Sequence, residues 1–302
     1  MKNTDKTCFI CGSPAIVNHT GHYQRCGSCG HETLIDADIY EDIINDRLDR
    51  DDFDRLNSLD RFKKAVLSKC ARSKAFLLDV GSASGRFLYQ NRGDFEQSLG
   101  IEVTPECVNF ARELGLHIET DLATLNSQLA VVAFWHSLEH IPVNAIEVMF
   151  TRIRECSTDD TVVVVSVPNA GSLQYSLLKE RFAYYDVPHH LHQFTPVSLD
   201  KLMIKFGFTR YSEYGSFSYA SFGWLQGLLN LFNRHHDYLY YRKKRGWVFG
   251  LSSSLRMLLD AYNLALASLL FIPSIVLALY DLLLLRRGGV LTVCYQREKD
   301  SK

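Results

Sequence analysis

Short apolar runs along this chain alternate with longer stretches whose apolar residues recur every three or four positions. Between residues 74 and 216 the pattern predicts strands at 76–80, 98–103, 117–120, 130–135, 161–167 and about 209–216, with helices between them. One more strand is predicted late, at 290–296, just after Gly288-Gly289. Strand–helix alternation of this kind builds a mostly parallel sheet covered on both faces. The run 161–167 is almost wholly apolar, as a central strand requires. Helix starts are marked by Thr104-Pro105-Glu106, with a capping threonine and a proline at the first position, by Pro142 and by Pro196, and Gly207 ends the last of these.

Upstream of the alternation the pattern changes. Cys8-Phe9-Ile10-Cys11 is followed after fourteen residues by Cys26-Gly27-Ser28-Cys29. Two Cys-x-x-Cys knuckles so spaced predict a zinc ribbon over 1–35, with Cys8, Cys11, Cys26 and Cys29 as a closed, structural ligand set. His19, His22 and His31 are nearby spare ligands that four thiolates make unnecessary. A module this small depends on its metal to fold. Residues 36–57 read as an acidic helical connector. Leu59, Phe62, Val66 and Cys70 then share one helical face, placing the start of the main domain, 58–302, near Ser58.

The segment Leu77-Leu78-Asp79-Val80-Gly81-Ser82-Ala83-Ser84-Gly85 ends the first strand in an acid and turns through small residues into a helix. A ligand can approach such a loop closely and meet the free N–H groups of the helix start. Its Gly-x-x-x-Gly spacing, with Ala83 between, does not match the Gly-x-Gly-x-x-Gly of a dinucleotide site. Asp79, Glu102 and Asp121 fall at the carboxyl ends of the first three strands, where ligands of such sheets bind. Glu102, seventeen residues after Gly85, is placed to accept hydrogen bonds from ribose hydroxyls.

These residues, with Gly100-Ile101-Glu102, Thr120-Asp121-Leu122 and the run from Trp135-His136-Ser137 to Pro142, resemble class I S-adenosylmethionine-dependent methyltransferases of the ubiquinone- and sugar-type group. The resemblance implies an α/β fold: a seven-stranded Rossmann-like sheet whose antiparallel last strand lies beside the fifth. It implies that Asp79, Gly81, Ser82 and Gly85 border the methionine part of the cofactor and that Glu102 holds the ribose. Asp121 and Leu122 would border adenine, with Trp135 and His136 near the transferred methyl group. Two departures stand out: Ala83 replaces a usual glycine, and the fourth strand lacks a starting acid.

Methyl transfer to a hydroxyl needs an aligned nucleophile and a proton acceptor. The candidates are His140 and His189, oriented by Glu139 or Asp186; His190 and His192 follow in the same polar run, and metal binding by these groups is the alternative. The expected activity is O-methylation of a sugar, glycolipid or lipid-linked intermediate. The alternatives are C-methylation of a nucleotide sugar, O-methylation of a quinone-like phenol, or a non-catalytic binding protein on the same fold. Calorimetry with S-adenosylmethionine separates the last from the rest.

Residues 217–287 form an apolar helical insertion between the sixth and last strands. Within it, 264–280 has no charge, Pro273 sits near the middle, and Arg242-Lys243-Lys244-Arg245 and Arg286-Arg287 lie on the flanks. Seventeen uncharged residues are short for a span, and the last strand must return to the sheet. The insertion is therefore expected on a cytoplasmic membrane surface, with a buried helix pair or a homodimer interface as alternatives. Basic and acidic residues balance, 33 against 34, so no field favours nucleic acid. Polar residues 1–7 show no signal peptide, and the scattered Cys70, Cys107, Cys156 and Cys294 read as small hydrophobes, both consistent with a cytoplasmic location.

Overall fold

The computed structural model describes residues 7–14, 16–18, 22–35, 48, 53–123, 125–245, 252–285 and 287–298. The connector expected over 36–57 lies outside them except for Leu48 and 53–57, as does His19.

Three short strands, β1 (Ile16–Asn18), β2 (Tyr23–Cys26) and β3 (Glu32–Leu34), form the cysteine module. Helix α1 (Ser58–Cys70) follows, started by a reciprocal capping box between Asn57 and Asp60. The alternation then runs β4 (Phe76–Val80), α2 (Arg86–Asn91), β5 (Gln97–Ile101), α3 (Pro105–Glu113), β6 (Ile118–Glu119), β7 (Leu129–Trp135), α4 (Val143–Glu155) and β8 (Ser157–Pro168). Next come α5 (Leu173–Leu178), β9 (His192–Gln193), α6 (Pro196–Lys205) and β10 (Phe208–Tyr214). The insertion supplies α7 (Phe217–Phe232), α8 (Tyr238–Arg245) and α9 (Ser253–Tyr280), and β11 (Val290–Arg297) closes the fold.

The main sheet has seven strands in the order β10-β11-β8-β7-β4-β5-β6. Strands β4 to β8 pair in parallel, and β11 runs antiparallel between β8 and β10. This is the expected methyltransferase sheet, with its last strand inserted beside the fifth. Alternation along the strands sorts the core onto two faces. Leu78, Val132, Phe134, Val163 and Val165 pack on one face, and Leu77, Val131, Ala133, Val162 and Val164 on the other. Each large side chain buried this way contributes about 1.5–3 kcal/mol.

A third core lies beyond the carboxyl edge of the sheet. It joins Tyr23 and Leu34 of the cysteine module to Tyr175, Tyr185 and Leu191 and to Trp224 and Ala278 of the insertion. The module does not stand apart: β9 pairs antiparallel with β3, Thr33 opposite His192, and completes its four-stranded sheet.

Two local expectations are corrected. Thr104 occupies the helix-cap position, but its side chain makes no capping bond. Glu102 Oε1 instead accepts the backbone N–H groups of Val103 and Thr104 at 2.9 Å each, which fixes the turn leading into the helix without capping it. Cys70 and Cys294 are joined as a disulfide between α1 and β11, rather than packed as separate thiols.

Candidate active site

The four cysteine sulfurs of the module lie within 4.8 Å of one another, with Cys8–Cys29 at 3.8 Å and Cys11–Cys26 at 3.5 Å. Tetrahedral zinc with sulfurs at about 2.3 Å sets neighbouring sulfurs about 3.8 Å apart, so the set fits a zinc ion without rearrangement. Hydrogen bonding from Cys29 pulls the Cys8 thiol down to about 5, and the same contact pushes Cys29 up. His31 is outside the set: it is fully buried and its ring packs against Phe9, His192 and Phe194.

At the carboxyl edge of β4 the loop residues Gly81 and Gly85 have φ of +74° and +77°. A Cβ at Gly81 would sit 2.4 Å from Ser137 Cβ, so glycine is required by space as well as by conformation. Ala83 is also left-handed, with φ of +47°, which explains why the corresponding position favours glycine. Its N–H donates to Glu102 Oε2 at 2.7 Å, and the Ser137 hydroxyl donates to the Val80 carbonyl at 2.5 Å. Glu102 thus ties β5 to the loop through the Ala83 N–H and keeps acceptor capacity on Oε2. Asp79 is buried in the same strand end. Burial raises its carboxyl to about 7, with Lys63 opposing and Glu102 adding to the shift.

The outer acid differs. Asp121 is exposed and accepts the Ala123 N–H at 2.7 Å, while Leu122 packs against the sheet core. Trp135 ends β7 edge-on to Phe87, with the Lys63 ammonium 5.3 Å from its ring centre. Ser82 Oγ, Trp135 Nε1 and His136 Nε2 are buried with no hydrogen-bond partner among the described residues. Three orphaned polar atoms around a glycine cradle are what an adenosyl-sulfonium ligand would satisfy.

Beyond β7 the polar groups gather. His136 is left-handed, φ +56°, and its ring lies between Tyr184 and Tyr219, with centroids 6.0 and 5.0 Å away. Its Nδ1 is 3.4 Å from Glu139 Oε1, and His190 Nε2 is 4.0 Å from the same oxygen. Glu139 is fully buried. Burial pushes its carboxyl up, but His136 first, then His140 and His190, pull it below the usual range. The histidine it faces most closely is His136, which was not among the expected bases.

His140 Nδ1 lies 2.8 Å from the His189 carbonyl oxygen, and its ring meets that of His190 edge-to-face. A carbonyl accepts only, so Nδ1 carries the proton and Nε2 is the basic nitrogen. His189 Nδ1 is 3.0 Å from Asp186 Oδ1, which also accepts from the Tyr241 hydroxyl at 3.3 Å. Asp186 is mostly buried, which raises its pKa, yet the hydrogen bond from His189 holds it well below the carboxylate range. Burial lowers His190 and His192 to about 4, keeping both neutral. His192 bonds the Ile141 carbonyl from within β9 and serves packing. Glu139, His140 and His190 present ligand atoms within 4.8 Å of one another, a geometry able to hold a divalent cation.

The sequence reading missed Lys63, Tyr184 and Tyr219, which frame Trp135 and His136. Tyr184 offered one signal, its place two residues before Asp186; the other two reach the site only through tertiary packing.

With this geometry in place, the comparisons follow. The methyltransferase domain family matches residues 53–213, more than half of the chain, and the chain belongs to it. It is a class I S-adenosylmethionine-dependent methyltransferase. No curated protein matches. Among solved structures it is similar to a SAM-dependent methyltransferase from Archaeoglobus fulgidus, at 16% identity over 79% of this chain and 94% of that one, TM-score 0.44. A cyclopropane synthase from Mycobacterium tuberculosis matches at 13% over 87% and 95%, TM-score 0.49. Magnesium protoporphyrin IX methyltransferase from Synechocystis PCC 6803 matches at 14% over 53% and 81%, TM-score 0.41.

Proposed function

We propose that the chain methylates a hydroxyl of a sugar, glycolipid or lipid-linked intermediate, with His189 as the proton acceptor. The observation that carries this reading is the Asp186–His189 contact of 3.0 Å, in a loop whose His189 carbonyl lies 2.8 Å from His140 Nδ1 and whose His190 lies 4.0 Å from Glu139. S-adenosylmethionine supplies an electrophilic methyl group. Asp79, Gly81, Ser82, Gly85 and Glu102 would hold it, with Asp121 and Leu122 bordering adenine and Trp135 and His136 near the sulfonium. A structural zinc ion would sit on Cys8, Cys11, Cys26 and Cys29.

Asp186 fixes the His189 tautomer with Nδ1–H toward the carboxylate and Nε2 free to accept the hydroxyl proton. As that proton arrives, the ionised Asp186 stabilises the imidazolium. Neutral His190 and the rings of Tyr184 and Tyr219 limit water around His136. His140 presents a second basic nitrogen. Incubating the full chain with methyl-labelled cofactor and cytoplasmic or membrane-bound glycan precursors tests the reading. Label in a new methyl ether supports it; label on carbon, or binding without transfer to any hydroxyl, refutes it.

A further inference from the structure

The insertion is built inside out. Along α9 the fully buried residues are polar or small: Asn263, Ser274, Ala278 and, just past the helix, Asp281 are essentially unexposed, while Leu277 and Leu282 pack half-buried beside them on the third core. Asn263 accepts from Asn233, and Asp281 accepts from Trp224 Nε1 at 2.8 Å and Gln174 Nε2 at 3.1 Å. The opposite face carries Leu258, Leu269, Ile272, Val276, Leu279 and Leu283, spaced three, four or seven residues apart beyond the first gap; Leu269 is 74% exposed and Leu283 70%. A water-facing helix has the reverse polarity. Polar residues in the seam and apolar ones outside are the arrangement of helices that meet lipid. Among the described residues, Ser253–Leu285 is also the one helix long and apolar enough to cross a membrane.

Charge names the occupant. Residues 217–287 hold eight basic and three acidic side chains in a chain of net charge −1. The three acids are engaged within the protein: Asp237 and Asp281 are buried, and Asp260 pairs with Arg242 and Tyr238. An isologous dimer through the insertion would bring together two segments that each carry this excess of basic residues. An anionic headgroup layer complements them.

We infer that the outward face of α9 docks on an anionic lipid bilayer. It lies in one leaflet without crossing it, since β10 before the insertion and β11 after it are paired neighbours in one sheet. At the base of the insertion Tyr219 of α7 lies against His136, so the docked element is also a wall of the catalytic pocket. The inference rests on the proposed acceptor only for its purpose, delivery of a lipid-linked hydroxyl from the bilayer.

The test is sedimentation of the full chain with phosphatidylcholine vesicles with and without phosphatidylglycerol. The chain should pellet with the anionic vesicles, and added salt should release part of it. Combined Leu269→Gln, Ile272→Gln and Val276→Gln should weaken binding more than about tenfold. Calorimetry with S-adenosylmethionine should be unchanged, because these side chains face away from the seam and the site. Wild-type chain left in the supernatant, or the triple variant pelleting equally, overturns the inference. A dimer in light scattering that the triple variant dissociates, without vesicle binding, assigns the face to a second copy instead. No methyl transfer is read, so failure here leaves the proposed reaction standing.

Discussion

The Tyr23 hydroxyl of the cysteine module donates to the His190 carbonyl at 2.7 Å. The same module holds Leu191 through the Leu34 N–H at 3.0 Å and Thr195 through the Cys29 carbonyl at 2.7 Å. The loop that carries Asp186 and His189 is therefore anchored from the metal side as well as from the sheet. A ribbon this small would depend for its shape on a metal held by its four cysteines.

Cys26→Ser should lower bound zinc, measured by elemental analysis, from about one per chain toward none. Amide exchange at Leu34 and Leu191 should accelerate, while affinity for S-adenosylmethionine stays within about twofold because the cofactor loop lies on the other side of β7. Unchanged exchange would detach the module from the catalytic loop.

Asp79 makes stability depend on pH. Its folded pKa of about 7 lies above the unfolded value of about 3.9, so the folded state holds the extra proton. Its contribution is complete below about pH 4 and is lost as pH rises through 7. The loss is on the order of 4 kcal/mol at most. In thermal melts of the cofactor-free chain, Asp79→Asn should gain on wild type steadily from pH 4 to 7 and no further above it. A constant difference across that range contradicts the assignment.

The loop glycines and Ala83 make opposite predictions. Gly81→Ala adds a left-handed penalty of about 1–2 kcal/mol to a contact with Ser137, and should lower both melting temperature and cofactor affinity. Ala83→Gly removes the strain at φ +47° and should leave both equal or higher, the gain staying under about 1 kcal/mol after glycine's backbone entropy. Paired melts and calorimetry check both.

Where local pattern governs, the sequence was a good guide. The apolar run 76–80 is β4 to the residue, 130–135 differs from β7 by one, and helix α7 starts at Phe217. The central run 161–167 is part of a longer β8, whose polar start, Ser157-Thr158-Asp159-Asp160, hides from a hydrophobic reading. Strand β9 was illegible: it is two residues long, and its partner β3 lies some 160 positions earlier. Spacing does not reveal that Thr104 leaves α3 uncapped or that Glu102 folds back on the turn after β5. The Cys70–Cys294 pairing across 224 residues likewise has no local signature. At the site, Asp186 or Glu139 was expected to orient a base; Asp186 lies against His189, and Glu139 against His136, whose backbone is left-handed.

The most direct test compares wild type with His189→Ala for label transfer from methyl-labelled S-adenosylmethionine to a hydroxyl acceptor, with cofactor binding measured alongside. The account predicts equal cofactor affinity and transfer reduced about 10²–10⁴-fold. Full transfer by His189→Ala, with His140→Ala inactive instead, would contradict the assignment of the base.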